Sequence, residues 1–204
     1  MATTSIHPIR VTEAKSVQYI TNPEKAERVT CYGCRGSAED ISHQFDMLRS
    51  YGKNTGSVLS YHIIQSFAPN EATAEQVHQA GLMLCDKLFQ GKYKYVLATH
   101  SDTKHIHNHI IFCKINIENY KAFGTLMDTK RNPAWKKIRQ LSDEVCKEMG
   151  LSVVEYEKIG KGVSHYEWSK QQQGTSWKAQ LRYELDCIIQ RCDTFEDFFE
   201  KCRL

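Results

Sequence analysis

Hydrophobic and polar positions alternate along three stretches in the middle of the chain. Residues 57 to 67 alternate with one departure at Gln65, and residues 93 to 99 and 106 to 117 are rich in apolar, β-branched and aromatic side chains. Successive side chains of a β-strand point to opposite faces, so these stretches predict three strands. Only a short polar connection separates the last two, which we therefore expect to be antiparallel neighbours.

Apolar residues recur at helical spacing in much of the remaining chain, and Thr12 and Thr73 precede two such stretches as N-caps. The spacing predicts helices over residues 12 to 20, 39 to 51, 73 to 90 and 133 to 149, and a last helical region that contains residues 177 to 188. Residues 28 to 37 are rich in Gly and Cys and are predicted to be a loop. The pattern indicates an α+β fold, with a central antiparallel β-sheet flanked by helices.

A polar stretch over residues 158 to 175 separates the last helical region from the rest. We expect one domain over residues 1 to 155 and a helical C-terminal extension over residues 156 to 204. The chain ends within an amphipathic segment that has no C-cap, which indicates the front portion of a longer protein.

Composition narrows the function classes only slightly. A net charge of +3 and a pI near 8.4 permit nucleic-acid binding, but the chain is less basic than the pI above about 9 that is persuasive by itself. Most of the eight cysteines lie inside apolar patterns, and we expect reduced thiols in a cytoplasmic protein. Cys31 and Cys34 form a single CxxC pair, which does not predict a zinc ribbon. No stretch approaches the ~20 apolar residues of a membrane span, so we expect no membrane insertion.

The most informative segment is residues 100 to 109, which holds four of the nine histidines. Side chains at i and i+2 of a strand share a face, so His105, His107 and His109 are predicted to line up about 7 Å apart at the α-carbon. His100, at the end of the preceding strand, can reach the same face across the turn. Three neutral imidazoles with open coordination positions are typical of a catalytic metal site.

Asp102 lies in the same turn and has two possible roles. It can accept the free N–H of a ligand histidine, or it can take the proton of a nucleophile. The alternative to a metal site is a histidine-rich hairpin whose side chains face solvent or bind metal adventitiously.

Three patches of the chain resemble motifs of one family, the conjugative relaxases or mobilisation nucleases of the histidine-hydrophobe-histidine (HUH) endonuclease superfamily. Tyr19-Ile-Thr-Asn-Pro-Glu-Lys25 resembles the nucleophile motif, and Tyr61-His-Ile-Ile-Gln-Ser-Phe67 resembles a strand that ends in Ser-Phe ahead of a helix. The segment from His100 to Ile111 resembles the His-x-Asp motif that is followed by alternating histidines. The resemblance covers about residues 5 to 120 and implies a relaxase-like sandwich with the two histidine-bearing strands in the middle of the sheet.

The resemblance also implies that Tyr19 is the nucleophile and that His100, His107 and His109 bind the metal. Asn108 departs from the family pattern, which expects a hydrophobic residue between the two histidines. His105-Ile106-His107 fits that pattern literally, so His105 is an additional candidate ligand.

Tyr19 has alternatives, since ten tyrosines are present and this one is also compatible with a core position at a helix end. Tyr32, or His7 as an imidazole nucleophile, is the next candidate. Candidate DNA-binding residues are Lys25, Lys130, Arg131, Lys136 and Arg182. Trp135, Trp168 and Trp177 are available for base stacking, although we expect at least two of them in the core.

The family resemblance implies metal-assisted, strand-specific nicking of DNA at an origin of transfer, with a 5′-phosphotyrosine intermediate and a free 3′-hydroxyl. The cofactor is a divalent metal, Mg or Mn, although Zn, Co or Ni would fit three imidazoles. The implied partners are single-stranded origin DNA with an adjacent hairpin, and accessory relaxosome and coupling proteins. The alternatives are a rolling-circle replication initiator, which usually places its tyrosine after the histidine strand, and a metal-binding nucleic-acid module without catalysis.

Overall fold

Five strands form one antiparallel sheet in a computed structural model of the chain. The strands are β1 (Thr3–Ile9), β2 (Ala26–Tyr32), β3 (Ser60–Ser66), β4 (Tyr95–His100) and β5 (His107–Cys113). Their order across the sheet is β1-β3-β5-β4-β2. The predicted antiparallel pairing of β4 with β5 is confirmed, and β5 is the central strand.

The structure describes residues 2–52, 56–103, 105–123, 134–153, 169–170, 173–192 and 194–202. The chain divides into two compact units, Met1–Glu155 and Tyr156–Leu204. Among the described residues, no helix is both long and apolar enough to cross a membrane.

Neither edge strand is among the three strands that the sequence predicted. Residues 28 to 37 were predicted to be a loop, which is wrong for the first part, because β2 pairs with β4 through Tyr32. Pro8 lies within β1, where it is tolerated because an edge strand pairs on one side only. Most side chains of β2 are exposed, so the strand lacks the buried alternation by which a strand is recognised.

The first unit contains four helices, α1 (Glu13–Ile20), α2 (Ala38–Ser50), α3 (Ala74–Phe89) and α4 (Ala134–Glu148). The Thr73 hydroxyl accepts a hydrogen bond from the Gln76 backbone N–H in a capping box, as the sequence predicted. Thr12 precedes α1 in the left-handed region, at φ 59°, and its side chain makes no capping hydrogen bond.

Each face of the sheet buries a separate apolar cluster. On one face, Val17 of α1 and Phe45 of α2 pack against Val96 and Ile111 of the central strands. On the opposite face, Leu84 of α3 and Ile138 of α4 form a second cluster with side chains that the same two strands direct to that face. The first unit is therefore a three-layer α/β/α sandwich, and the predicted fold class is confirmed.

The second unit contains the helices α5 (Trp177–Ile189) and α6 (Phe195–Lys201). The Ser176 hydroxyl caps α5 by accepting a hydrogen bond from the Ala179 backbone N–H. Trp177 and Leu181 are exposed, so neither contributes to a buried core.

Candidate metal centre and tyrosine

Three histidines meet where β4 ends and β5 begins. His100 is directly opposite His107 in the antiparallel register, and Ala98 is opposite His109. Paired residues and residues two apart on a strand share a face, so all three imidazoles project from the face that α1 and α2 cover. The hairpin therefore places the three rings together without any contribution from a distant part of the chain.

The three rings converge closely. One ring nitrogen from each of His100, His107 and His109 lies within 4.8 Å of the other two. The ring centroids are 4.5 Å apart for His100 and His109, 4.8 Å for His107 and His109, and 5.4 Å for His100 and His107. His100 and His109 are buried, while His107 is partly exposed, so the cluster opens to solvent on one side.

The second nitrogen of each ring makes a hydrogen bond outside the cluster, so the converging nitrogen stays available as a metal ligand. His100 Nε2 donates to the Ile20 carbonyl at 2.8 Å, and His107 Nδ1 donates to the His105 carbonyl at 2.8 Å. His109 Nδ1 lies 2.9 Å from His62 Nε2. Ring orientation by such outer hydrogen bonds is usual for metal-binding histidines.

The donor set fits a divalent metal ion. His109 Nε2 is buried and has no hydrogen-bond partner among the described residues, although buried polar nitrogens are almost always satisfied. A cation bound by the three imidazoles would satisfy it, and three protein nitrogens leave coordination positions for other oxygen ligands.

Burial keeps His109 and His62 neutral. Burial, together with the neighbouring imidazoles of His62 and His100, lowers the pKa of His109 to about 3. Burial likewise lowers the pKa of His62 to about 4, assisted by His7 and His100. The neutral imidazole is the form that binds metal, so the environment favours the ligand state at neutral pH.

Tyr19 is next to this cluster, in the last turn of α1. Its side chain is 51% exposed, and its ring centroid lies 6.0 Å from that of His100 and 6.1 Å from that of His109. Lys25 Nζ lies 4.6 Å from the centre of the Tyr19 ring. Tyr19 is therefore not a core aromatic residue. An open cavity of about 580 Å³ adjoins it and is lined by Lys15, Gln18, Tyr19, Thr21, Asn22, Pro23, Ser37, Ala38 and Glu39.

Polar contacts at both ends hold α1 in place. The Arg49 guanidinium of α2 forms a buried ion pair with Glu13 in the first turn of α1, at 2.9 Å. The Ser42 hydroxyl also donates to Glu13, at 3.1 Å. At the other end, the Ile20 carbonyl accepts the hydrogen bond of His100. The position of Tyr19 therefore depends on one buried ion pair and on one of the clustered histidines.

The other candidates from the turn lie outside the cluster. His105 is exposed, precedes β5, and places its Nδ1 3.3 Å from the Phe67 carbonyl. Asp102 is exposed in the turn, and the described outer partners of the three rings are two backbone carbonyls and His62.

Tyr32 and His7 differ in their distance from the cluster. Tyr32 pairs with Tyr95 at the far end of β4 from His100, about 17 Å away by the rise of a strand. His7 is exposed on β1 and pairs with His62. The structure therefore favours Tyr19 over Tyr32 by proximity and leaves His7 on the same face as the cluster.

The candidate DNA-binding residues lie on different elements, and two of them fall outside the described residues. Lys25 is beside Tyr19, and Lys136 and Arg182 are exposed on α4 and α5. Lys130 and Arg131 lie outside the described residues, as does Trp168. Trp135 and Trp177 are 52% and 66% exposed, so the prediction that at least two tryptophans are in the core is wrong for these two.

His62 is the residue that sequence reasoning missed. It stands in the alternating pattern of β3 with no histidine motif around it, and its contact with His109 depends on strand register. Ile64, not His62, is directly opposite His109, so the contact is diagonal. Strand register is not encoded in the spacing of one strand.

A sandwich with a three-histidine cluster and an adjacent exposed tyrosine defines the class of nuclease that the sequence motifs resemble. Residues 19–151 match the sequence model of the MobA/VirD2-like relaxase nuclease domain. The chain is 35% identical over 188 residues to Protein rlx of Staphylococcus aureus, with 91% of this chain and 53% of the relative covered. It is 33% identical over 163 residues to the group II intron-interrupted relaxase LtrB of Lactococcus lactis, with 76% and 28% covered. The chain therefore belongs to the MobA/VirD2-like relaxase nuclease family.

One solved structure supports the fold. The relaxase domain of MobM, described as Mn-bound and in complex with plasmid pMV158 oriT DNA, superposes with a TM-score of 0.56. The match covers 83% of this chain and 98% of that domain at 12% identity, so it bears on architecture alone. The chain spans between about a quarter and about half of the curated relatives described above.

Proposed function

We propose that the chain nicks one strand of DNA at an origin of transfer of a conjugative or mobilisable element, with Tyr19 as nucleophile. The observation that carries this proposal is the exposed Tyr19 ring about 6 Å from the rings of two clustered histidines. A phosphate in contact with Tyr19 would lie within reach of a cation that the histidines hold. Family membership supports the same activity.

In the proposed step the Tyr19 phenol oxygen attacks the scissile phosphorus, and the bond to the 3′ oxygen breaks. The phenol proton is lost to a base or to solvent, and the leaving oxygen gains a proton to become a free 3′-hydroxyl. The phosphate stays ester-linked to Tyr19 at the 5′ end, so a later hydroxyl can reverse the step. When bound, the divalent ion supplies positive charge against the charge that builds on the non-bridging oxygens.

Two residues are proposed to assist Tyr19. The Lys25 ammonium lies over the ring and would contact the backbone phosphate that Tyr19 attacks. Asp102 remains a prediction as the acceptor of the phenol proton; its exposed position in the turn leaves it accessible to water and substrate.

His100, His107 and His109 are the residues proposed to hold the metal, with His105 as the additional candidate. We propose Mg or Mn as the working ion, since both accept the oxygen ligands of a phosphate. Zn, Co or Ni would also fit three imidazole nitrogens.

The substrate is proposed to be single-stranded origin DNA with an adjacent hairpin, acted on in the cytoplasm together with relaxosome and coupling proteins. Residues 1–155 are proposed as the nuclease domain, and residues 156–204 as an extension of the DNA-binding surface or the start of a longer C-terminal region. Lys136 and Arg182 are exposed and so are accessible to a phosphate backbone.

The test uses oligonucleotides that tile candidate origin DNA, incubated with the protein and Mn²⁺ or Mg²⁺. A 3′-end label should remain on the protein through denaturing electrophoresis, whereas a 5′-end label should appear on a shortened free strand. Tyr19→Phe should abolish the labelled protein, and the matched Tyr32→Phe should retain it. A persistent adduct in Tyr19→Phe would contradict this assignment, and its loss on adding His7→Ala would identify His7. DNA binding without any adduct in the parent would support the non-catalytic alternative.

A further inference from the structure

His62 is the only side chain that the structure places in hydrogen-bond contact with one of the three clustered imidazoles, among the described residues. His62 Nε2 lies 2.9 Å from His109 Nδ1, and the two ring centroids are 4.9 Å apart. The corresponding contacts of His100 and His107 are made to backbone carbonyls.

Among the described residues, no other side chain makes a hydrogen bond with His109 Nδ1. Its neighbours in the strand register are Ile64 on β3 and Ala98 on β4, and neither carries a polar group. His109 is only 6% exposed. An Nδ1–H buried there without an acceptor would be destabilising.

The two nitrogens of a neutral imidazole have opposite roles, because one carries the proton and the other offers a lone pair. One ring nitrogen of His109 lies within 4.8 Å of those of His100 and His107, and His109 Nε2 is the buried nitrogen without a described partner, since Nδ1 meets His62. For Nε2 to offer its lone pair, the proton must sit on Nδ1, and Nδ1 must then donate to His62 Nε2. The contact with His62 therefore selects both the ring orientation and the tautomer.

We propose that His62 is a positioning residue of the metal centre, which holds His109 in the tautomer and orientation that bind the cation. This role rests on the proposed metal site and deepens it. His62 is not one of the three residues whose ring nitrogens converge, and its Nε2 is used in the hydrogen bond with His109.

The consequence is that metal affinity depends on an acceptor at the position of His62 Nε2. Gln can place an amide oxygen at about that distance from the backbone, whereas the shorter Asn cannot. His62→Gln and His62→Asn therefore form a matched pair that changes the reach of one polar group. His7→Asn is the control, because His7 pairs with His62 on β1 and has no described contact with the three rings.

The experiment titrates the complete chain with Mn²⁺ by calorimetry, after metal removal with EDTA and exchange into chelator-free buffer. His62→Asn should weaken Mn²⁺ binding 10- to 100-fold, the usual loss for an outer partner of a metal-binding histidine. His62→Gln should stay within a few-fold of the parent, and His7→Asn should be unchanged. The tautomer of His109, read by long-range ¹H–¹⁵N correlation in the metal-free protein, should be Nδ1–H in the parent and in His62→Gln only.

The possible failures are distinguishable. Equal Mn²⁺ affinity in His62→Asn and the parent would overturn the role of His62 and leave the metal site intact. Equal losses in His62→Asn and His62→Gln, with the His109 tautomer unchanged in both, would show a packing effect and also overturn it. A parent that binds no Mn²⁺ would overturn the metal centre itself.

Discussion

Asn108 offers the sharpest test of how the histidine strand is held. It lies between His107 and His109, faces the opposite side of the sheet, and is completely buried. Its Nδ2 donates to Gln65 Oε1 at 3.0 Å and to the Val77 carbonyl at 2.6 Å, and its Oδ1 accepts from the Thr99 hydroxyl at 2.6 Å. These bonds join β5 to β3, to α3 and to β4.

We predict that Asn108→Leu destabilises the protein although Leu matches the hydrophobic residue of the family pattern. The substitution leaves Gln65 Oε1 without this partner, and a buried group that loses its partner costs about 1–3 kcal/mol. The Thr99 hydroxyl keeps its 2.7 Å contact with His78 Nδ1, and the Val77 carbonyl, within α3, keeps its helical hydrogen bond. Burying the Leu side chain returns about 1.5–3 kcal/mol. The larger side chain must also fit against Gly81, and overpacking costs about 1–3 kcal/mol, so the net loss of unfolding free energy is about 0.5–3 kcal/mol.

Denaturant unfolding of the metal-free protein measures this loss directly, and a double-mutant cycle with Gln65→Leu isolates its cause. If the Gln65 amide is the group left unsatisfied, the two substitutions together should cost at least about 0.5 kcal/mol less than the sum of the single losses. Parent-like stability of Asn108→Leu, or strict additivity in the cycle, would refute the reasoning.

Two further predictions concern pH. In the folded state the pKa of His109 is about 3 and that of His62 is about 4, whereas an unfolded imidazole has a pKa near 6.5. Between these values the unfolded state therefore binds more protons than the folded state. The unfolding free energy of the metal-free protein should therefore fall as pH drops from about 6.5 toward 4, by up to about 2 kcal/mol per imidazole at pH 5. His109→Gln should reduce that fall in unfolding measured by circular dichroism in EDTA, and a flat parent profile would count against it. Separately, the hydrogen bond with Cys34 lowers the pKa of Cys31 to about 7, so its alkylation should be half-maximal near that pH. Cys34→Ala should move this midpoint toward ~8.5 in mass-spectrometric kinetics, and an unmoved midpoint would contradict it.

The strands and helices that bury regular apolar stripes could be predicted from the sequence. The strands β3, β4 and β5 and the helices α2, α3 and α4 bury regular stripes, and their predicted positions agree with the structure to within a few residues. Local geometry brought the histidines of one hairpin together, and the family resemblance selected His100, His107 and His109 among them.

The features that were missed depend on contacts between distant segments. The strand β2 is an edge strand with few buried side chains, so its pairing with β4 leaves little trace in the hydrophobic pattern. His62 reaches His109 only through the register of β3 on β5. The polar role of Asn108 likewise depends on α3, where a Cβ at Gly81 would lie 2.6 Å from Asn108 Nδ2. None of these neighbours can be located by spacing along one segment.

The hydrogen bond from His100 to the carbonyl of Ile20 ties the imidazole to the residue that follows Tyr19. A shift of that helix end would rotate a ring of the cluster, and a cation that fixes the ring would in turn restrain the helix. Binding of an ion and immobilisation of the tyrosine are thus thermodynamically linked, each favouring the other by the same free energy. Amide hydrogen exchange at the end of α1 should consequently slow when Mn²⁺ is added, before any DNA is present.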